Sequence, residues 1–177
     1  MKKPTTTRKL AICAMVTALS VLFLYASEAV SYARLICLFL VAFTMHIPAR
    51  EGQYGYCWIS FFATAIISFF ILPSRISWFF YVAVVGHYAI IHRLIYNGVN
   101  VGWLKSLLML LYCNIGSAVL IYLLYLFFEI DPYSLLPDYP LAICIIVLEL
   151  CFLFLDLAFN ICSKLYEKRL RPFLMHT

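Results

Sequence analysis

Apolar residues fall in long unbroken stretches over 9–27, 33–48, 54–72, 77–96, 103–128 and 140–165. The breaks between them run from Glu28 to Tyr32, Pro48 to Gln53, Pro73 to Ser77, Asn97 to Gly102, and Asp131-Pro132 to Pro140. Each break carries residues that turn a chain or resist burial. Most stretches approach the roughly 20 apolar residues that carry a helix across a bilayer, the second being the shortest. None shows the alternation or the roughly 10-residue length of an outer-membrane barrel strand. In lipid each backbone N–H and C=O must be satisfied within its own span, which leaves the α-helix. The pattern predicts an all-α membrane protein, a six-transmembrane-helix bundle forming a single integral membrane domain over 1–177. There is no internal repeat, low-complexity tract or flexible linker.

Composition strengthens that reading. Of 177 residues, 66% are hydrophobic and only 12% charged, outside the range of a soluble globular domain. The opening Met-Lys-Lys-Pro-Thr-Thr-Thr-Arg-Lys followed by an apolar run imitates a signal peptide. Ala26 and Ser27 make a weak cleavage site, however, and a retained first helix suits a chain that stays apolar downstream. The seven cysteines, 13, 37, 57, 113, 144, 151 and 162, lie inside the expected spans without metal-ligand spacing. They read as reduced packing residues.

Charge then gives the bundle a direction. With six crossings and a cytoplasmic N-terminus, Lys2, Lys3, Arg8, Lys9, Arg50, Arg93, Lys105, Lys164, Lys168, Arg169 and Arg171 fall on the cytoplasmic side. Only Arg34 and Arg75 fall outside. This asymmetry predicts both termini in the cytoplasm of a bacterium and a multi-pass location in its plasma membrane. Glu28, Glu129, Asp131 and Asp138 segregate to the outer side. The net charge of +5 is spread over short loops and tails rather than one face, so no nucleic-acid partner is expected.

Within the spans, polar residues are few enough to be singled out. Glu149, Asp156 and Asn160 project from one side of the last helix, seven and four residues apart. A carboxylate at bilayer depth costs about 2.5 to 3.5 kcal/mol on insertion scales, so both acids must face the bundle interior. Glu149 lies toward the outer half, near a substrate or proton, and Asp156 toward the cytoplasm, near basic residues. Hydrogen bonding between helices is the structural alternative for each. Asn114 and Ser117 offer a polar face on the fifth span, either a seam against the last span or ordinary helix glue. On the outer side, Glu28 and Arg34 stand beside Tyr25 and Tyr32, and Arg75 beside Trp78 and Tyr81. Charges next to rings can hold a small polar or planar ligand, and interfacial anchors have the same composition. His87 is a proton relay, a ligand contact or a packed histidine, the last being the commoner case. Ala14 and Ala18, with Ala11, make a small-residue stripe that permits close helix approach, inside the bundle or against a partner. No phosphate loop, nucleophile elbow, zinc motif or dinucleotide turn is present, so neither an enzyme nor a bound cofactor is expected.

Several of these residues, taken in order, resemble the substrate-binding S components of energy-coupling factor (ECF) transporters. The carriers are Thr7-Arg8-Lys9-Leu10-Ala11, the Ala14/Ala18 pair, Ala63-Thr64-Ala65-Ile66-Ile67-Ser68 ending at Leu72-Pro73, Gly86-His87-Tyr88, and Tyr166-Glu167-Lys168-Arg169-Leu170-Arg171-Pro172. The resemblance implies a six-helix subunit that captures a vitamin or similar micronutrient near the outer face, with Glu28, Arg34, Trp78, Tyr81, Asn114 and Glu149 as candidate contacts. It further implies that Ala14 and Ala18 dock on a transmembrane coupling subunit driven by two ATPase subunits. None of the ligand signatures of the thiamin, riboflavin, biotin, folate or cobalamin members is present, so no substrate carries over. The alternative is a non-transporting scaffold of the MreD cell-shape type, comparable in size, span layout and the Arg50-Glu51-Gly52 loop. A third reading, Glu149 and Asp156 as an acid and base pair, requires cooperation across about 10.5 Å of helix, too far for one bond.

Overall fold

The computed structural model describes residues 6–50, 54–128, 141–166 and 168, and every described element is helical. In chain order these are α1 (Thr6–Ala29), a 3-10 turn (Ser31–Ala33), α2 (Arg34–Arg50), α3 (Tyr54–Ile71), α4 (Arg75–Phe80), a π-helical stretch (Tyr81–Val85), α5 (Gly86–Gly98), α6 (Gly102–Phe128) and α7 (Leu141–Leu165). The α4, π and α5 segments form one continuous rod. Among the described residues four rods, α1, α3, α4–α5 and α6, are long and apolar enough to cross a membrane, and Arg34–Ala49 of α2 is a shorter apolar helix.

The distribution of side chains is that of a bundle solvated by lipid. Leu22, Phe62, Ile66, Phe70, Leu111, Ile115, Phe154 and Leu157 lie exposed, whereas Ser20, Ser27, Thr44, Ser60, Thr64, Ser68 and Ser77 are buried. Ser27, Thr44, Ser60 and Ser68 donate to backbone carbonyls, Ser60 to Cys13 O across α1 and α3, where lipid supplies no hydrogen bonds. Between α1 and α2, the Thr44 hydroxyl donates to Val41 O at 2.8 Å, leaving Ser20 to donate to Thr44 at 2.8 Å. The α1 face that packs inward is Cys13, Val16, Ser20, Leu24 and Ser27, spaced by three and four as one helical stripe requires. That choice turns Ala11, Ala14 and Ala18 outward, and all three are exposed.

α2 is the central rod, packed against α1, α3, α5 and the π stretch, with α7 also in contact. The main core joins Leu38, Val41 and Met45 of α2 to Phe61, Tyr81, Tyr88, Met109 and Phe159. The close approach of α3 to the α4–α5 rod is at Gly86, where a Cβ would meet the rings of Phe61 and Tyr81 at 2.6 and 2.7 Å. Ser74 caps α4 by accepting from Ile76 N–H at 3.2 Å. Arg75 closes the other side of that turn, its guanidinium donating to Phe69 O and lying 4.1 Å from the Phe69 ring.

Among the described residues the basic side chains Arg8, Lys9, Arg93, Lys105 and Lys164 sit at one end of the rods. Glu28, Arg34 and Arg75 sit at the other. Lys2, Lys3, Arg169, Arg171, Glu129, Asp131, Asp138 and the loop from Glu51 to Gln53 lie outside the described residues. Cys13, Cys37, Cys57, Cys113, Cys151 and Cys162 are free thiols, and no group of three metal-ligating side chains occurs among the described residues.

Candidate functional site

α7 supplies one wall of the site. Toward the basic end Asp156, Phe159, Ser163 and Tyr166 are buried, at spacings of three and four. Toward the opposite end Ile146, Val147, Leu150 and Cys151 are exposed. Between these stretches Glu149 and Phe152 are half-buried, on the side of α7 that continues the buried stripe. A cleft of about 480 Å³ lies between α2, the α4–α5 rod, α6 and the stretch of α7 from Cys151 to Phe159. Its walls are almost wholly apolar, among them Leu38, Phe39, Ala42, Leu120, Phe154 and Ala158, with Ser117 and the thiols of Cys113 and Cys151 as the small polar groups. The volume suits a small-molecule site.

One wall of the cleft is the π stretch. A π turn carries an extra residue and displaces the usual i to i−4 bonds. Here the N–H of Gly86 reaches Tyr81 O, five residues back. The carbonyl of Val84 accepts from the Tyr112 hydroxyl of α6 at 2.7 Å. Gly116 of α6 lets that contact form, since a Cβ there would meet Val84 Cγ2 at 2.8 Å and Ala83 O at 3.2 Å. Phe80, Val84 and Val85 are thereby presented to the cleft.

The deep end of the cleft is Tyr88 and Phe159, and behind Tyr88 lies a polar cluster. Tyr88 Oη donates to Asp156 Oδ1 at 3.2 Å, and Tyr96 Oη donates to Asp156 Oδ2 at 3.1 Å. Asn160 Nδ2 donates both to Tyr96 Oη at 2.7 Å and to Asp156 Oδ2 at 3.2 Å. With its amide nitrogen committed, Asn160 offers Oδ1 to His92 Nε2 at 3.2 Å. His92 must then carry its proton on Nε2. The same nitrogen is 3.6 Å from Asp156 Oδ1. The rings of His92 and Tyr96 stack at 4.1 Å, and Lys105 lies 5.2 Å above Tyr96 at the basic end. Three donors thus converge on one buried carboxylate, bridging α5 and α7 by hydrogen bonds that the intervening lipid could not supply.

The residues singled out from sequence are placed as follows. Asp156 and Asn160 are at the centre of the cluster, joined to two tyrosines and a histidine rather than to a lysine or arginine. Glu149 is half-buried on the same face of α7, two turns above Asp156 and just beyond Cys151 at the cleft wall. Asn114 is half-buried beside Cys113, which lines the cleft. Arg34 lies 3.9 Å from Glu28 and donates to Ser27 O at 3.4 Å, closing the α1–α2 hairpin next to Leu35 at the cleft rim. Trp78 Nε1 donates to Ala65 O at 2.8 Å and Tyr81 Oη to Phe61 O at 3.1 Å, so both pin α4 and the π stretch to α3. His87 is packed between the rings of Phe61 and Tyr112, at 5.8 and 5.5 Å. None of Glu28, Arg34, Trp78, Tyr81, Asn114 and Glu149 lines the cleft. Ala14 and Ala18 are on the far side of α1, away from it.

Tyr88, His92 and Tyr96 are the members that sequence reading did not bring together. Their signal was present: four residues apart each time, they share one face of α5 and match the i, i+4 spacing of Asp156 and Asn160 on α7. No protein-family model, curated protein or solved structure matches this chain.

Proposed function

We propose that the chain is a six-span protein of the bacterial plasma membrane, both termini cytoplasmic, that captures a small and largely apolar molecule as the substrate-binding subunit of an ECF-type importer. The observation that carries the reading is the 480 Å³ cleft. It spans the middle of the bundle and reaches Leu35 at the start of α2, the end that the charge asymmetry assigns to the outside. A substrate held there would contact Phe39, Phe154 and Phe159 and would find polar partners at Tyr88, Ser117 and the thiols of Cys113 and Cys151. Its character would be that of a ring system or short chain with few hydrogen-bonding groups. The exposed Ala14 and Ala18 supply a smooth outer face on α1 of the kind a coupling subunit packs against. The chain carries no phosphate loop, so the two ATPase subunits would supply the energy.

Copurification tests the proposal. Tagged protein coexpressed with an ECF coupling subunit and its two ATPase subunits is expected to retain all three in mild detergent. Ala14→Leu or Ala18→Leu should reduce that retention at least about tenfold while membrane insertion is unchanged, because a branched side chain holds two helices apart. Native mass spectrometry of the same preparation should show a retained small molecule, lost when Ala42→Trp fills the cleft. Absence of association with Ala14 and Ala18 intact would count decisively against the assignment.

A further inference from the structure

Asp156 is buried, accepts from three donors, and lies beside a histidine, yet no lysine or arginine pairs with it among the contacts described above. Charge at this depth persists only with compensation, and the alternative to compensation is a proton. The hydrogen bonds as drawn serve the ionised form: Tyr88, Tyr96 and Asn160 all donate toward it. Facing Asp156 are Tyr88, His92 and Tyr96 from α5, Cys113 and, above Tyr96, Lys105 from α6, and Asn160 from α7 itself, with His46 of α2 on the far side of Phe159 at 5.2 Å.

We infer that Asp156 is a proton-exchanging site whose proton affinity is set by Tyr88, the residue that the cluster shares with the cleft. The exchange balances simply. A proton arriving from the basic end is taken up on Tyr96 Oη as that hydroxyl gives its own proton to Asp156 Oδ2, leaving Asp156 as the neutral acid, while Asn160 keeps its amide protons and His92 the Nε2 proton that it donates to Asn160. Tyr88 has a single hydroxyl proton, which it gives to one acceptor at a time. While that proton is directed to Oδ1 it favours the carboxylate. A molecule in the cleft that accepts from Tyr88 draws it away, and the acid form of Asp156 then becomes the favoured one. Proton uptake and occupancy of the cleft are thereby linked through one O–H, with the same coupling in both directions. The inference does not depend on any coupling subunit, and its test uses the chain alone.

The measurement is pH-difference infrared spectroscopy of the purified full-length protein, following the C=O stretch of a protonated carboxyl between roughly pH 4 and pH 9. A band that grows as pH falls is expected, lost in Asp156→Asn and retained in Glu149→Gln, which assigns it. In Tyr88→Phe the midpoint should move upward by about one pH unit, because a donor to the carboxylate has been removed. A wild-type spectrum without an Asp156 band that varies over this range overturns the inference, whatever the variants do. An unchanged midpoint in folded Tyr88→Phe overturns the role of Tyr88.

Discussion

Gly86→Ala is expected to destabilise the protein by about 2 kcal/mol, although alanine is the better helix former by about 1 kcal/mol. The reason is local. A Cβ at residue 86 would stand 2.6 Å from Phe61 Cδ2 and Cε2 and 2.7 Å from Tyr81 Cζ. Neither ring can give way cheaply. Phe61 and Tyr81 stack on each other at 5.5 Å, and Tyr81 is held by its hydroxyl bond to Phe61 O. Phe61 also packs on Trp58 and His87 at 5.6 and 5.8 Å. Relief would have to come from separating α3 from the α4–α5 rod, which would loosen the π stretch and with it one wall of the cleft. Gly55, Gly98 and Gly102 have nothing within 4 Å of an added Cβ, so alanine there should be neutral or mildly stabilising. Thermal unfolding in detergent, read side by side for the four variants, checks the contrast. Equal midpoints for Gly86→Ala and Gly98→Ala would show that the helices are not in contact at residue 86.

The helical, membrane-embedded character was legible because lipid imposes a simple rule: long apolar runs with no partner for the backbone except itself. The connections at Pro73 and Asn97 were legible for a related reason, since both residues are poorly tolerated at depth. What the apolar runs conceal is register. Every residue of such a run satisfies the hydrophobic criterion, so the pattern does not tell which face meets protein and which meets lipid. For this reason Arg75, Trp78 and Tyr81 read either as a group that could hold a ligand or as interfacial anchors, and the bonds of Trp78 and Tyr81 to Ala65 O and Phe61 O of α3 gave no sign in the pattern. Apolarity also hides a change of helix type. Tyr81 to Val85 reads as ordinary helix, and its π geometry depends on Tyr112 and Gly116, roughly thirty residues further along. Asp156 and Asn160 stood out because they are costly in hydrocarbon. Their partners did not stand out, because tyrosine and histidine at span depth are common enough to pass as packing. The cleft lay beyond sequence reading altogether, since its lining comes from four rods whose facing sides the apolar runs do not mark.

Replacing Asp156 tests whether the cluster acts as a unit. Asp156→Ala leaves the donors of Tyr88, Tyr96 and Asn160 without their common acceptor, and a loss of about 3 kcal/mol is expected for breaking a buried charged network from one side. Asp156→Asn should cost less, about 1.5 kcal/mol, because an amide oxygen still accepts from one or two of the donors. Size separates these outcomes poorly from a simple cavity effect, so a double-mutant cycle is the sharper measurement. Tyr88→Phe removes a donor that in the wild type has a partner at 3.2 Å, and it should destabilise by about 1 kcal/mol there. Once Asp156 is alanine the same hydroxyl has nothing to donate to, and deleting it should be neutral or favourable. The coupling energy is therefore expected to be at least about 1 kcal/mol. A cycle closing to zero would mean that Tyr88 stabilises through its ring alone, packed on Phe159 at 5.1 Å. The hydroxyl contact, and with it the path from the cleft to the carboxylate, would then be energetically silent. A large coupling would establish that whatever perturbs Tyr88 from the cleft side is felt at Asp156 and, through Asn160 and His92, along the seam that holds α7 to α5.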